Sequence, residues 1–149
     1  MRSSSHFSAR AALVATLLLI AACSSGSGGG VSISAAWVRP SLGADQPTAA
    51  YLTITNTSGQ ADMLVSASSP AAGAVEIHQT TTDGSGMTGM DAMSGIDVAA
   101  GATVKLDPGG MHLMITGLTR SLNVGDSLEL HLVFQHAGTI VVSAEVRQG

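Results

Sequence analysis

Thr48-Ala49-Ala50-Tyr51-Leu52-Thr53-Ile54-Thr55-Asn56-Thr57 is crowded with β-branched side chains and runs into the turn residues Asn56-Thr57-Ser58-Gly59. Side chains of this kind fit a pleated, half-buried surface, so the stretch predicts a β-strand. Upstream, Val31 to Val38 alternates, with Val31, Ile33 and Trp37 among its apolar positions. Arg39-Pro40 stops that strand, because proline cannot donate to a ladder. Ser41 to Pro47 reads as a loop. Downstream, strand patterns recur at 61–68, 74–80, 96–98, 102–106, 111–115, 127–135 and 139–147. Turn residues separate them every 8–12 positions or so, the spacing of an all-β barrel or sandwich of about 8–9 strands. Neither an internal repeat nor a helical period is visible after residue 30.

The 149 residues suffice for one domain with a real core. Residues 1–22 read as a secretory signal, with Arg2 and Arg10 ahead of the apolar run Ala11–Ala22. That run is short for a bilayer span. Ile20-Ala21-Ala22-Cys23 resembles a bacterial lipobox, in which the Cys becomes the lipidated first residue. Cys23 is the sole cysteine, so no disulfide can form within the chain. Residues 23–30 (CSSGSGGG) then form a flexible tether, and 31–149 the folded domain. The expected location is extracytoplasmic, anchored by lipid to the bacterial cell membrane. Without residues 1–22, four basic residues face ten acidic ones, a net charge near −6. Such a balance, with no basic patch, argues against nucleic acid as a partner.

Residues 81–95 (TTDGSGMTGMDAMSG) break the strand pattern and read as a Gly-rich loop. They nevertheless carry Met87, Met90 and Met93. Methionine usually fills cores, as expected for Met63 and Met111, but this segment offers no core to fill. His78 precedes it, on the polar side of a strand that it shares with Glu76. Gly109-Gly110-Met111-His112-Leu113-Met114-Ile115 follows it. Residues i and i+2 of a strand share a face, so His112 and Met114 project together, away from Met111, Leu113 and Ile115. Imidazole and thioether ligands suit soft Cu(I). Zinc prefers Cys, His or carboxylate, and Ca²⁺ or Mg²⁺ wants clustered oxygens. Outside the cytoplasm thiols tend toward disulfides, whereas thioethers cannot form them.

These residues sit in a chain that resembles the PCu(A)C family of periplasmic copper chaperones. The resemblance covers about 34–146. It rests on Ala36-Trp37-Val38-Arg39, on Ala50 to Asn56, on Val75-Glu76-Ile77-His78, and on Pro108 to Met114. It implies a cupredoxin-like Greek-key barrel that binds one Cu(I) and delivers it to the copper centre of cytochrome c oxidase or to its assembly factors. The family's ligand pattern is a His, ten residues, a Met, twenty-one residues, then His-x-Met. Here twenty-one residues separate Met90 from His112, with Met114 after it, while eleven separate His78 from Met90. The implied ligands are therefore His78, Met90, His112 and Met114, with Met87 and Met93 in play for the loop position. Insertion of one residue in the loop accounts for the longer first interval.

His131 and His136 stand outside this pattern and read as ordinary exposed histidines, a second Cu(II) site being the alternative. Copper scavenging or storage would use the same ligands as delivery. A metal-free β-sandwich that binds a protein at the cell surface would use the Met loop as an adaptable contact. A blue-copper electron carrier requires a Cys thiolate, and Cys23 is at the lipidated terminus. Enzyme chemistry finds no nucleophile elbow, phosphate loop or usefully spaced carboxylate pair.

Overall fold

The structure is a computed structural model that describes residues 30–43 and 46–149. The signal segment, Cys23 and the tether up to residue 29 lie outside the described residues. Ten strands form: β1 (Val31–Val38), β2 (Thr48–Asn56), β3 (Asp62–Ser68), β4 (Ala72–Thr82) and β5 (Thr88–Ala92). They continue with β6 (Ile96–Val98), β7 (Thr103–Leu106), β8 (Met111–Leu118), β9 (Ser127–Phe134) and β10 (Gly138–Val146). Seven of them close a barrel in the order β4-β8-β2-β1-β10-β9-β3, with β3 pairing back onto β4. Closure leaves those strands without a free edge. β5 extends the sheet beyond β4, β6 pairs with β3, and β7 pairs with β2. This is the all-β fold that the strand pattern predicts and the cupredoxin-like barrel that the resemblance implies, with ten strands where about 8–9 are expected.

The barrel is filled by alternate residues of each strand. Leu52 and Ile54 on β2, Leu113 and Ile115 on β8, and Leu130 and Leu132 on β9 are all buried in one cluster. The core face of β8 is thus the Leu113–Ile115 face, and Met111 packs against the same cluster. His112 and Met114 are left for the outer face.

Two features depart from the sequence reading. First, the segment 81–95 is not a loop throughout, because Thr88–Ala92 pairs with β4 as a hairpin. All five of its residues are exposed, so no apolar alternation announces it. The turn between the strands is organised by the Asp83 carboxylate, which accepts from the Ser85 and Met87 backbone N–H groups and the Ser85 hydroxyl.

Second, Trp37 does not share a face with Ile33. The β1–β2 register slips by one residue between Ser34 and Trp37, and Ala35 within the slip has φ 51°. One extra residue in a strand reverses the alternation after it. Ile33 therefore packs on the core, whereas Trp37 lies opposite Tyr51 on the outer face. Left-handed backbone costs a non-glycine residue about 1–2 kcal/mol, and a β-branched side chain suits it least. Ala35 is exposed, so substitution there loses no packing. Ala35→Val is expected to destabilise the fold by about 1–2 kcal/mol, and Ala35→Gly to leave it unchanged or slightly more stable, as read by equilibrium denaturation.

Candidate metal centre

The outer face of the sheet over β5, β4, β8 and β2 gathers the candidate ligands. On adjacent antiparallel strands, directly opposed residues share a face. His78 of β4 lies opposite His112 of β8, and Glu76 lies opposite Met114. On the other side of β4, His78 faces Ala92 and Thr80 faces Met90. His78, Met90, His112 and Met114 therefore belong to one face of three neighbouring strands. The two imidazole centroids are 5.9 Å apart.

Burial grades across this group. His112 is 3% exposed, and the His78 side chain 14%. Met114 is half-buried, while Met90 stands 56% exposed on the edge strand. The imidazoles are held by the barrel, and Met90 is carried beside them on the edge strand of the hairpin.

Hydrogen bonding sets the tautomers. His112 Nδ1–H donates to the Gly110 carbonyl at 3.2 Å, leaving the Nε2 lone pair free. His78 Nε2–H donates to a Glu76 carboxylate oxygen at 3.3 Å. That leaves His78 Nδ1 as an acceptor, and this atom is buried with no hydrogen-bond partner. A buried polar atom without a partner is uncommon and calls for an explanation. Each ring thus has one nitrogen fixed by an oxygen acceptor and the other free, the arrangement found for metal-ligating histidines.

An open cleft of about 390 Å³ lies against the group, lined among others by Arg39, Tyr51, Thr80, Met90, His112 and Met114. His78 does not line it, and adjoins it through its cross-strand neighbour His112. Tyr51 lies 6.4 Å from the His112 ring, and Trp37 stacks on Tyr51 at 4.6 Å. Tyr51 is on this face by the regular alternation of β2, and the bulge at Ala35 brings Trp37 onto it as well.

The remaining candidates lie elsewhere. The Met93 N–H donates to Ile77 O, and Met93 packs with the core alongside that residue. Met87 is in the hairpin turn, 71% exposed, and precedes β5. His131 Nε2 pairs with Glu129 at 2.6 Å on β9, and His136 is in the exposed β9–β10 turn. Among the described residues, no three His, Cys, Asp or Glu side chains come together. The opposed imidazoles of His78 and His112 share their sheet face with Met90 and Met114. Reading the sequence placed Glu76 on the His78 face without giving it a role. Tyr51 and Arg39 were not singled out as site residues, since their placement depends on which strands become neighbours.

The closed seven-stranded barrel is the fold of solved PCuAC domains, the class to which the comparisons assign the chain. Residues 31–146 match the family model described as "Putative lipoprotein LpqE-like". The chain belongs to this LpqE-like family. It is 35% identical over 118 residues to "Putative lipoprotein Lxx21020" of Leifsonia xyli, covering 79% of this chain and 70% of that protein. It is 30% identical over 117 residues to "Uncharacterized protein RP573" of Rickettsia prowazekii, covering 74% and 62% respectively. Among solved structures, the solution structure of Cu(I)-DR1885 from Deinococcus radiodurans is 31% identical, with a TM-score of 0.62 and 87% of each chain covered. The copper-bound PCuAC domain from PmoF2 superposes with a TM-score of 0.68 at 23% identity, over 81% of this chain and 95% of that one, a likeness of fold.

Proposed function

We propose that this protein is an extracytoplasmic lipoprotein that binds one Cu(I) and passes it to a copper-accepting membrane protein, such as a respiratory oxidase or its assembly factors. Residues 1–22 would be removed as a signal, Cys23 would carry the lipid, and residues 23–30 would tether the barrel. His78, Met90, His112 and Met114 would hold the ion. The observation that carries this reading is the pair of opposed imidazoles with unused lone pairs, one of them on a buried atom, flanked on the same face by two thioethers. The Cu(I)-bound relative of similar fold supports it.

Two ligands on the barrel strand β8, one on β4 and one on the exposed edge of a hairpin suit a carrier rather than a permanent metal site. The exposed Met90 is the ligand that an incoming acceptor would displace first. Transfer would then proceed by exchange, each bond to the donor replaced by one to the acceptor, with copper remaining Cu(I).

The register of the β4–β5 hairpin favours Met90 over its neighbours. In a competition titration against a Cu(I) chelator, with Cys23→Ser so that no unlipidated cysteine competes for copper, Met90→Leu is expected to weaken affinity about ten-fold or more. Even partners outside the coordination shell commonly cost that much. Met87→Leu and Met93→Leu are expected to leave affinity unchanged. Weakening by Met93→Leu with no effect of Met90→Leu would refute this ligand set.

A further inference from the structure

The domain is acidic, and its few cations are not spread evenly. Of the four basic residues after residue 30, Arg120 pairs with Asp126 at 3.4 Å, and Lys105 lies on β7 opposite Thr53. The other two, Arg39 and Arg147, sit on the aromatic pair beside the cleft. The Arg39 guanidinium carbon is 5.7 Å from the Tyr51 ring centroid, and that of Arg147 is 4.9 Å from Trp37. Among the described residues, neither guanidinium has a carboxylate within ion-pair distance. Arg39 is exposed and lines the cleft that His112, Met90 and Met114 also line.

Among the described residues no side-chain hydrogen bond or ion pair uses an Arg39 donor, so the in-plane N–H groups of its guanidinium are unspent. Those donors form a planar fork that matches a carboxylate. Tyr51 is in turn 6.4 Å from the His112 ring, so the guanidinium is no more than about 12 Å from that imidazole. The cleft between them is of the size that takes small molecules.

We propose that the cleft receives copper as a small carboxylate-bearing Cu(I) thiolate complex, with Arg39 holding the carboxylate while the thioethers and His112 take the metal. The proposal rests on the Cu(I) reading above and adds how the ion enters. In the exchange the Cu–thiolate bond breaks as bonds to thioether sulfur and imidazole nitrogen form. The released thiolate takes up a proton from solvent, and no electron is transferred. The cleft's volume of about 390 Å³ matches a small molecule, and an acidic side chain of a partner protein is the alternative that an effect confined to hand-off would identify.

A matched pair of copper donors tests this, namely Cu(I) bound to N-acetylcysteine and to its neutral amide. Both present the same sulfur, and they differ by one carboxylate. Loading of the detergent-solubilised full chain is followed by rapid mixing. Arg39→Gln is expected to slow loading from the N-acetylcysteine complex about ten-fold, the order expected for one charge-assisted hydrogen bond. Loading from the amide complex should stay within about two-fold. Arg39→Lys, which keeps the charge but loses the fork, is expected to recover only part of the rate. The proposal is overturned if Arg39→Gln slows both complexes equally, if it slows neither, or if it affects only hand-off to an acceptor protein. Should the unsubstituted chain take copper from neither complex, the Cu(I) reading itself fails.

Discussion

Replacing His112 and Met114 together with alanine is expected to lower Cu(I) affinity by on the order of 1,000-fold, since two ligands are lost where even a supporting partner commonly costs 10–100-fold. Both side chains leave the outer face of β8, so Leu113 and Ile115 keep their core packing. The imidazole is nearly buried, and its truncation will cost some stability, but the seven-strand closure does not depend on it. A competition titration on the Cys23→Ser background reads the affinity, and a thermal scan shows that the barrel persists. A folded double variant that still competes as well as its parent would place copper elsewhere. His78→Ala separately tests the orphaned nitrogen. It should lose affinity, whereas His131→Ala and His136→Ala should not.

The largest stability effect away from the site is expected at Asp62. Its side chain is buried at the start of β3. One carboxylate oxygen accepts from the Met63 and His136 backbone N–H groups, and the other from Ala137 N–H. The carboxylate thereby ties β3 to the β9–β10 turn. Burial alone would raise its pKa from the ordinary 3.8, but the N–H donors of His136, Met63 and Ala137, helped by the His136 charge, hold it below that value. A carboxylate with a depressed folded pKa contributes stability that is fully present above its unfolded pKa and lost as pH falls through the folded one. Asp62→Asn puts an amide NH₂ against N–H donors and removes the charge. It is expected to destabilise the fold by about 2–3 kcal/mol at neutral pH. The gap between parent and variant should hold down to about pH 5, then narrow below pH 4 as the parent's carboxylate becomes protonated. Denaturant unfolding at several pH values measures it, and a gap that widens in acid would contradict this assignment.

The strands and the His112–Met114 pair were legible because both follow from period-2 alternation alone. Tyr51 and Ile54 announce β2 by type, and Leu113 and Ile115 mark which face of β8 turns inward. Strict alternation through β1 would put Trp37 on the face of Ile33, and the bulge that turns it rests on one alanine with positive φ, which no side-chain pattern signals. The strand at Thr88–Ala92 was hidden for a different reason. It is an exposed edge, held by the backbone ladder to β4 and by the Asp83 turn, and glycines at 84, 86 and 89 disguise it.

The same hairpin bears on which loop methionine to choose, a question left open by spacing. The ladder pairs Thr80 with Met90 and His78 with Ala92, so the even positions share the His78 face. Met93, joined to Ile77, goes to the core side. An interval of eleven residues between His78 and Met90 is thus compatible with their sharing one face, the extra length being absorbed in the turn. Arg39 and Tyr51 could not be read from spacing at all, because their closeness to His112 is made by the pairing of β2 with both β1 and β8.

The set of four ligands is tested most directly by X-ray absorption at the copper edge, on the Cys23→Ser chain loaded with one equivalent of Cu(I). Two nitrogen and two sulfur neighbours are expected, falling to a single sulfur when Met90 is replaced by Leu. A shell of nitrogen and oxygen alone, or a sulfur count that Met90→Leu leaves unchanged, would contradict it.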